Sequence, residues 1–276
     1  MKNATGNFEG RDLRKLFYQY WLPEGEIKAY IIAIHGWGTH SDRLKHPAEY
    51  FTEKGYALYS FDLRGHWRST EEYRGHFDDM DHLQKDIVLF SDVVKKDAGD
   101  KKNFLMGHDF GGLVSLIYAI NRPDLPGVMV SSPLLGLLIK LSTGKKLAKS
   151  LSKFAPTKTI DMPYNQNQLT SDLKILREHI KDKNKTEIIS IKSASEMTNS
   201  MKWAIENASK LFSPVLIMQA GNDKIADKAK TKEFFKNIKS EDKTYKEYDG
   251  YLHELWNERG RAQVYQDMFV WLEKHL

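Results

Sequence analysis

The sequence predicts an α/β fold, a mostly parallel central sheet flanked by helices, in a single domain spanning 1–276 with a helical cap inserted at 134–207. Three observations lead there. Short, wholly apolar runs alternate with stretches of helical spacing, the pattern of a parallel sheet covered on both faces. One such run, Phe104-Leu105-Met106, ends in Gly107-His108-Asp109-Phe110-Gly111-Gly112 and turns at once into a helical pattern. From Pro133 to about Asn207 the alternation gives way to Lys-rich helical sequence, with no strand that must join the sheet.

Taken in order, 5–9 and 13–21 read as strands able to pair as a hairpin. Residues 29–34 are continuously apolar, as a strand buried on both faces must be, and lead into His35-Gly36-Trp37-Gly38. A helix starting near Ser41 and Asp42 covers 46–54, and 56–61 form the next strand, ending at Asp62-Leu63-Arg64-Gly65-His66-Trp67. Leu83, Ile87, Phe90 and Val94 recur at helical spacing, so 79–96 is an amphipathic helix. After the strand and helix around Asp109, 128–130 make a further core strand. Beyond the cap, 214–219 is a strand ending in Ala220-Gly221-Asn222-Asp223, followed by a helix for which Asp227 is a suitable N-cap. A last short strand at 243–248 runs into Asp249-Gly250-Tyr251-Leu252-His253-Glu254, and the closing helix carries Ala262, Tyr265, Met268, Phe269 and Leu272 on one face.

Composition narrows the function. With 41% hydrophobic and 12% aromatic residues the chain is that of a soluble globular protein, and no apolar run approaches a membrane span. The first residues lack the apolar segment of a signal peptide, which points to a cytoplasmic protein. There is no Cys, which excludes disulfides, thiolate metal sites and a Cys nucleophile. The net charge of +5 comes from Lys spread along the chain, without the basic patch and interleaved aromatics expected of a nucleic-acid binder.

Gly107 to Gly112 has the layout of a nucleophile elbow, the strained strand-to-helix turn of the α/β-hydrolases, with Asp109 where Gly-x-Ser-x-Gly would place Ser. Asp109, Asp223 and His253 follow in the chain order nucleophile, acid, His, each just after an expected strand, so the carboxyl ends of the sheet would bring them together. In that arrangement His253 moves the proton, Asp223 holds its other ring nitrogen, and the backbone N–H groups of Trp37 and Phe110 form the oxyanion hole. His35, His66 and His108 sit beside glycines and lack the paired spacing of zinc ligands, so they are read as structural hydrogen-bonders and no metal is expected.

Over nearly its whole length the sequence resembles the monoacylglycerol lipase/lysophospholipase (carboxylesterase) branch of the α/β-hydrolase superfamily. The resemblance rests on His35-Gly36-Trp37-Gly38 with Ser41, Asp62-Leu63-Arg64-Gly65-His66, Gly107-His108-x-Phe110-Gly111-Gly112, Ser132-Pro133-Leu134, Gly221-Asn222-Asp223, and Tyr248 to Glu254 with Asn257-Glu258. It implies hydrolysis of long-chain monoacyl esters without metal or organic cofactor. Two residues depart from the family pattern: Asp109 for Ser, and Trp67 where a second Gly would be usual.

Asp109 leaves three alternatives open. One is an esterase scaffold whose activity is weakened or redirected, a pattern that a Ser→Asp change in a lipase-like chain would also produce. Another is an enzyme of epoxide hydrolase or haloalkane dehalogenase type, since carboxylate attack suits a saturated carbon better than an ester that must expel a basic alkoxide. The last is a non-catalytic binder of apolar ligands. Trp67, Tyr164 and Trp203 are candidate pocket donors, and Leu134 and Leu138 begin an apolar run, 134–141, that would line an acyl tunnel. With Lys145, Lys146, Lys149 and Lys153 behind it, this stretch suits a cap that packs on its own core and touches lipid surfaces transiently.

Overall fold

A computed structural model describes residues 1–70, 72–139, 154–162 and 164–276. The chain opens with β1 (Lys2–Glu9) and β2 (Lys15–Leu22), an antiparallel hairpin. The second strand starts later than expected because Asp12 and Leu13 take left-handed backbone angles, φ 65° and 59°, in the connecting turn. There follow β3 (Ala29–Ile34), α1 (Lys45–Glu53), β4 (Tyr56–Phe61), α2 (Met80–Ala98), β5 (Asn103–His108), α3 (Asp109–Ile120) and β6 (Val128–Ser131).

The segment between β6 and the next core strand contains β7 (Thr159–Asp161), α4 (Leu173–Lys181), β8 (Ile188–Ser190) and α5 (Ile191–Asn207). Here the expectation of a purely helical insertion needs correction. β7 and β8 pair antiparallel as a sheet of their own, apart from the main one. Thr159, Ile160, Ile188 and Ile189 are β-branched and suit pairing, but three-residue strands leave little periodicity to read. Of the apolar and Lys-rich run, residues 140–153 lie outside the described residues. The core resumes with β9 (Val215–Ala220), α6 (Lys228–Asn237), β10 (Lys243–Tyr248) and α7 (Arg261–Lys274).

The eight-stranded sheet has the order β1-β2-β4-β3-β5-β6-β9-β10, parallel from β4 to β10. All six residues of β3, β4 and β9 are buried, as both faces are covered. Alternation along β3 divides its side chains: Tyr30, Ile32 and Ile34 join the core under α2, α3 and α5, and Ile31 and Ala33 join the core under α1 and α7. Asp79 caps α2 by accepting the His82 N–H, and Asp227 caps α6 by accepting the Ala229 N–H. In α7 the buried stripe is Val264, Tyr265, Met268, Trp271 and Leu272, while Ala262 faces solvent. Among the described residues no helix is long and apolar enough to cross a membrane.

Parallel strands bring the loops after β3, β5, β9 and β10 to one edge of the sheet. α3 and β3 approach closely, so that a Cβ on Gly111 would collide with the carbonyl oxygens of Ile34 and His35. Gly111→Ala should therefore lower stability by about 1–3 kcal/mol, the range for overpacking a tight contact, as read from urea unfolding.

Candidate active site

β5 ends at His108 and α3 begins at Asp109, whose φ of 53° is the sharp left-handed turn of an elbow. Such an angle costs a residue with a Cβ about 1–2 kcal/mol, least for Asn and Asp. Here the turn is held by the Leu134 N–H, which donates to Asp109 O at 3.0 Å. Gly36 gives the Asp109 side chain its room, since a Cβ there would lie 2.9 Å from the Asp109 Cβ.

The buried Asp109 carboxylate has two different oxygens. The Trp37 backbone N–H donates to Oδ2 at 2.8 Å. Oδ1 faces His253 Nε2 at 3.4 Å and has no hydrogen-bond partner among the described residues. Phe110, next in α3, has its N–H in the first turn, where no helix carbonyl accepts it. Its ring packs edge-on to Trp37 at 5.4 Å. The Trp37 loop is braced from behind: the Gly38 N–H donates to His66 Nε2 at 3.1 Å, and the Leu63 N–H donates to His35 Nε2 at 2.9 Å. Burial lowers His66 to about 4 and pushes His35 well down, so both rings are neutral acceptors. Among the described residues no group of three or more His, Cys, Asp or Glu could hold a metal ion.

On its other side His253 Nδ1 lies 2.9 Å from Asp223 Oδ2 and 3.1 Å from Oδ1. Asp223 also accepts from the N–H groups of Ile225 and Ala226 and from Gln219 Nε2. Burial alone would push His253 down, but the charge of Asp223, contacts to both carboxylates and the charge of Asp109 hold it well above its ordinary value. Burial raises Asp223 in turn, but the His253 charge, its hydrogen bond and the two amides bring it below the usual carboxylate range. The contacts on both sides thus favour the charged form of the His253 ring.

The structure brings together Asp109, Asp223, His253 and the Trp37 amide, with Phe110 next to Asp109 in the first turn of α3. Asp109, His253 and Trp37 line a cavity of about 40 Å³ together with Tyr164, Leu169, His179 and Thr186 from the segment after β6. Tyr164 thus lies where a pocket residue should, with its hydroxyl buried and without a partner among the described residues. The other expected pocket residues lie outside that cavity, and each has a physical reason. Trp67 is half-buried on a turn, its ring under the Arg68 guanidinium at 3.6 Å and beside His40 at 4.4 Å. Leu134 is buried in the core beneath the elbow. Leu138 is half exposed, with its N–H donating to Ile225 O. Trp203 points to solvent because the buried stripe of α5 runs through Ala194, Met197, Met201 and Ala204.

Sequence reasoning missed the polar end of the cavity. Glu254 and His179 line it, and burial of Glu254 is outweighed by the His179, Arg43 and His108 charges, which hold it near 2. Glu254 directly follows His253 and Arg43 closely follows the Trp37 loop, but nothing in their spacing indicated that they meet.

The sheet order, the left-handed turn at Asp109 and the Trp37 loop beside it are those of an α/β-hydrolase. A family profile described as serine aminopeptidase, S33, matches residues 25–260, and the chain belongs to that family. It is 29% identical to the phospholipase YtpA of Bacillus subtilis, over 90% of this chain and 96% of that one. It is 30% identical to an uncharacterized abhydrolase domain-containing protein of Dictyostelium discoideum, but spans only 30% of that protein's length. The crystal structure of a monoacylglycerol lipase from Paleococcus ferrophilus superposes with a TM-score of 0.82 at 26% identity, covering 100% of both chains.

In a histidine ¹⁵N NMR titration, the His253 ring should stay doubly protonated through neutral pH, and Asp109→Asn should move its titration downward. Because the folded value is raised, the clamp's contribution to stability is complete below the ordinary imidazole value of about 6.5 and is lost as pH climbs through the folded one.

Proposed function

We propose that the chain is a hydrolase of lipid-like carboxylic esters, built on the monoacylglycerol lipase plan, whose ester activity is held down by Asp109. The observation that carries this is the 2.8 Å contact from the Trp37 N–H to Asp109 Oδ2. The amide that would stabilise a substrate oxyanion is engaged by the enzyme's own carboxylate. Asp109, His253 and Asp223 are the proposed catalytic residues, with Trp37 and Phe110 as the oxyanion donors. Residues 134–207 act as the cap. The cavity of about 40 Å³ among the described residues has room for a few waters, less than an acyl chain fills. The lipase and phospholipase names among the relatives support the substrate class.

Ester cleavage by the chain as it stands meets two obstacles. Attack by Asp109 on an ester carbonyl would form an anhydride while expelling a strongly basic alkoxide. The imidazolium of His253 also has no lone pair with which to take a proton from water. A serine at 109 removes both, because it leaves the amide free and takes one negative charge away from His253. Asp109→Ser should raise hydrolysis of monoacyl and p-nitrophenyl esters by about 10³-fold or more, given that loss of the nucleophile in a serine hydrolase costs on the order of 10⁶. A folded Ser variant with no gain would count against the ester reading.

A second reading is favoured by the Tyr164 hydroxyl, which is buried in the same cavity without a partner. Burial, then the Asp109 charge, push it well above its ordinary value, so it remains a donor. Asp109 Oδ1 would attack a saturated epoxide carbon while Tyr164 donates to the departing ring oxygen. Water then adds at the Asp109 carbonyl and returns the carboxylate and a diol. Single-turnover reaction with an epoxide in heavy-oxygen water should place label on Asp109 under this reading, and turnover without label excludes it. Affinity for apolar ligands with no turnover, with Asp or Ser at 109, identifies a binder.

A further inference from the structure

Behind the catalytic cavity lies a second one of about 20 Å³, walled by Arg43, Glu254, Trp256, Asn257 and His108 among others. Glu254 and His108 line both cavities. Three buried donors in this wall, Arg43 Nε, Arg43 Nη2 and Trp256 Nε1, have no hydrogen-bond partner among the described residues. Trp256 is only 3% exposed, so bulk solvent does not satisfy it. Glu254 stands between the two cavities. Its Oε2 is 3.9 Å from Arg43 Nη2 on one side, and its Oε1 is 3.9 Å from His179 Nδ1 on the other. His179 Nδ1 is likewise buried and unpartnered among the described residues.

Each gap is too long for a direct hydrogen bond but short enough that one water seated beside it can touch both groups. The smaller cavity exceeds the ~10–15 Å³ that a water requires, and it offers donors together with a carboxylate acceptor. Most of its lining is apolar, but the Arg43 and Trp256 donors and the Glu254 carboxylate give a water the polar partners it needs. An anion is disfavoured because Glu254 already supplies the negative charge facing the guanidinium. We propose that Arg43, Glu254 and His179 hold a two-water relay, one water in the smaller cavity and one at the Glu254–His179 end of the catalytic cavity, that supplies hydrolytic water to His253 from behind while substrate occupies the rest of that cavity. In that role the water gives a proton to neutral His253 Nε2 and its oxygen bonds to the carbonyl carbon of the enzyme ester. In the acyl ester of Asp109→Ser the enzyme oxygen leaves carrying that proton, and in an alkyl ester of Asp109 the substrate oxygen does. The relay rests on the hydrolase reading above, but its water positions do not.

Two measurements test it. A crystal structure of the chain at a resolution that orders waters should show one between Arg43 and Glu254 and one between Glu254 and His179. Empty density, or an ion there, overturns the site. In the Asp109→Ser form, Arg43→Met and the milder Trp256→Phe should each lower hydrolysis several-fold relative to methanolysis when methanol is added as competing nucleophile. Methanol arriving from the substrate side does not depend on the relay. An unchanged ratio in folded variants overturns the supply role. Absence of esterase activity in Asp109→Ser itself refutes the ester reading, and the density then decides the water site alone.

Discussion

Taking a charge out of water costs several kcal/mol per ion, and this chain buries two carboxylates within reach of one imidazole. Such a cluster persists only where each charge has a counter-charge or an aimed dipole. Asp223 has His253, two amides and Gln219. Asp109 has His253 and the Trp37 amide. The proton shared among them settles what the site can do. While His253 keeps it, the ring orients and neutralises but cannot act as a base. Converting one carboxylate to an ester, or replacing it by a hydroxyl, releases the ring for general-base work.

The fold makes that clustering affordable. Parallel pairing from β4 to β10 puts the ends of β5, β9 and β10 side by side, so residues far apart in sequence meet without long loops. The turn at Asp109 then lifts its carboxylate out of the strand direction toward the Trp37 loop. Small residues at Gly36 and Gly111 permit the approach, and the neutral rings of His35 and His66 brace the loop that carries the amide. The placement of the Trp37 amide is therefore a property of β3 and its neighbours as much as of the elbow.

Much of this was legible in the residues. Wholly apolar strands such as Ala29–Ile34 announce a sheet covered on both faces, and Asp79 and Asp227 mark their helix starts through side-chain chemistry local to the chain. The order of Asp109, Asp223 and His253 was readable because each follows a strand. Less legible was everything set by contact across the fold. Trp67 reads as a pocket donor by residue type, but its ring is engaged by Arg68 and His40. Trp203 falls one position off the buried stripe of its helix, which amphipathicity blurs when Met, Ala and Trp alternate. β7 and β8 are too short to show a period of two, and Glu254 met Arg43 and His179 through three separate elements.

Neutron diffraction at neutral pH tests the central claim most directly, because it shows where the proton sits. Nuclear density for deuterium on both Nδ1 and Nε2 of His253, with neither carboxylate protonated and Asp109 Oδ2 bonded to the Trp37 amide, is the expected result. A singly protonated ring, or an Asp109 carboxyl that carries the proton and has turned away from Trp37, would contradict it.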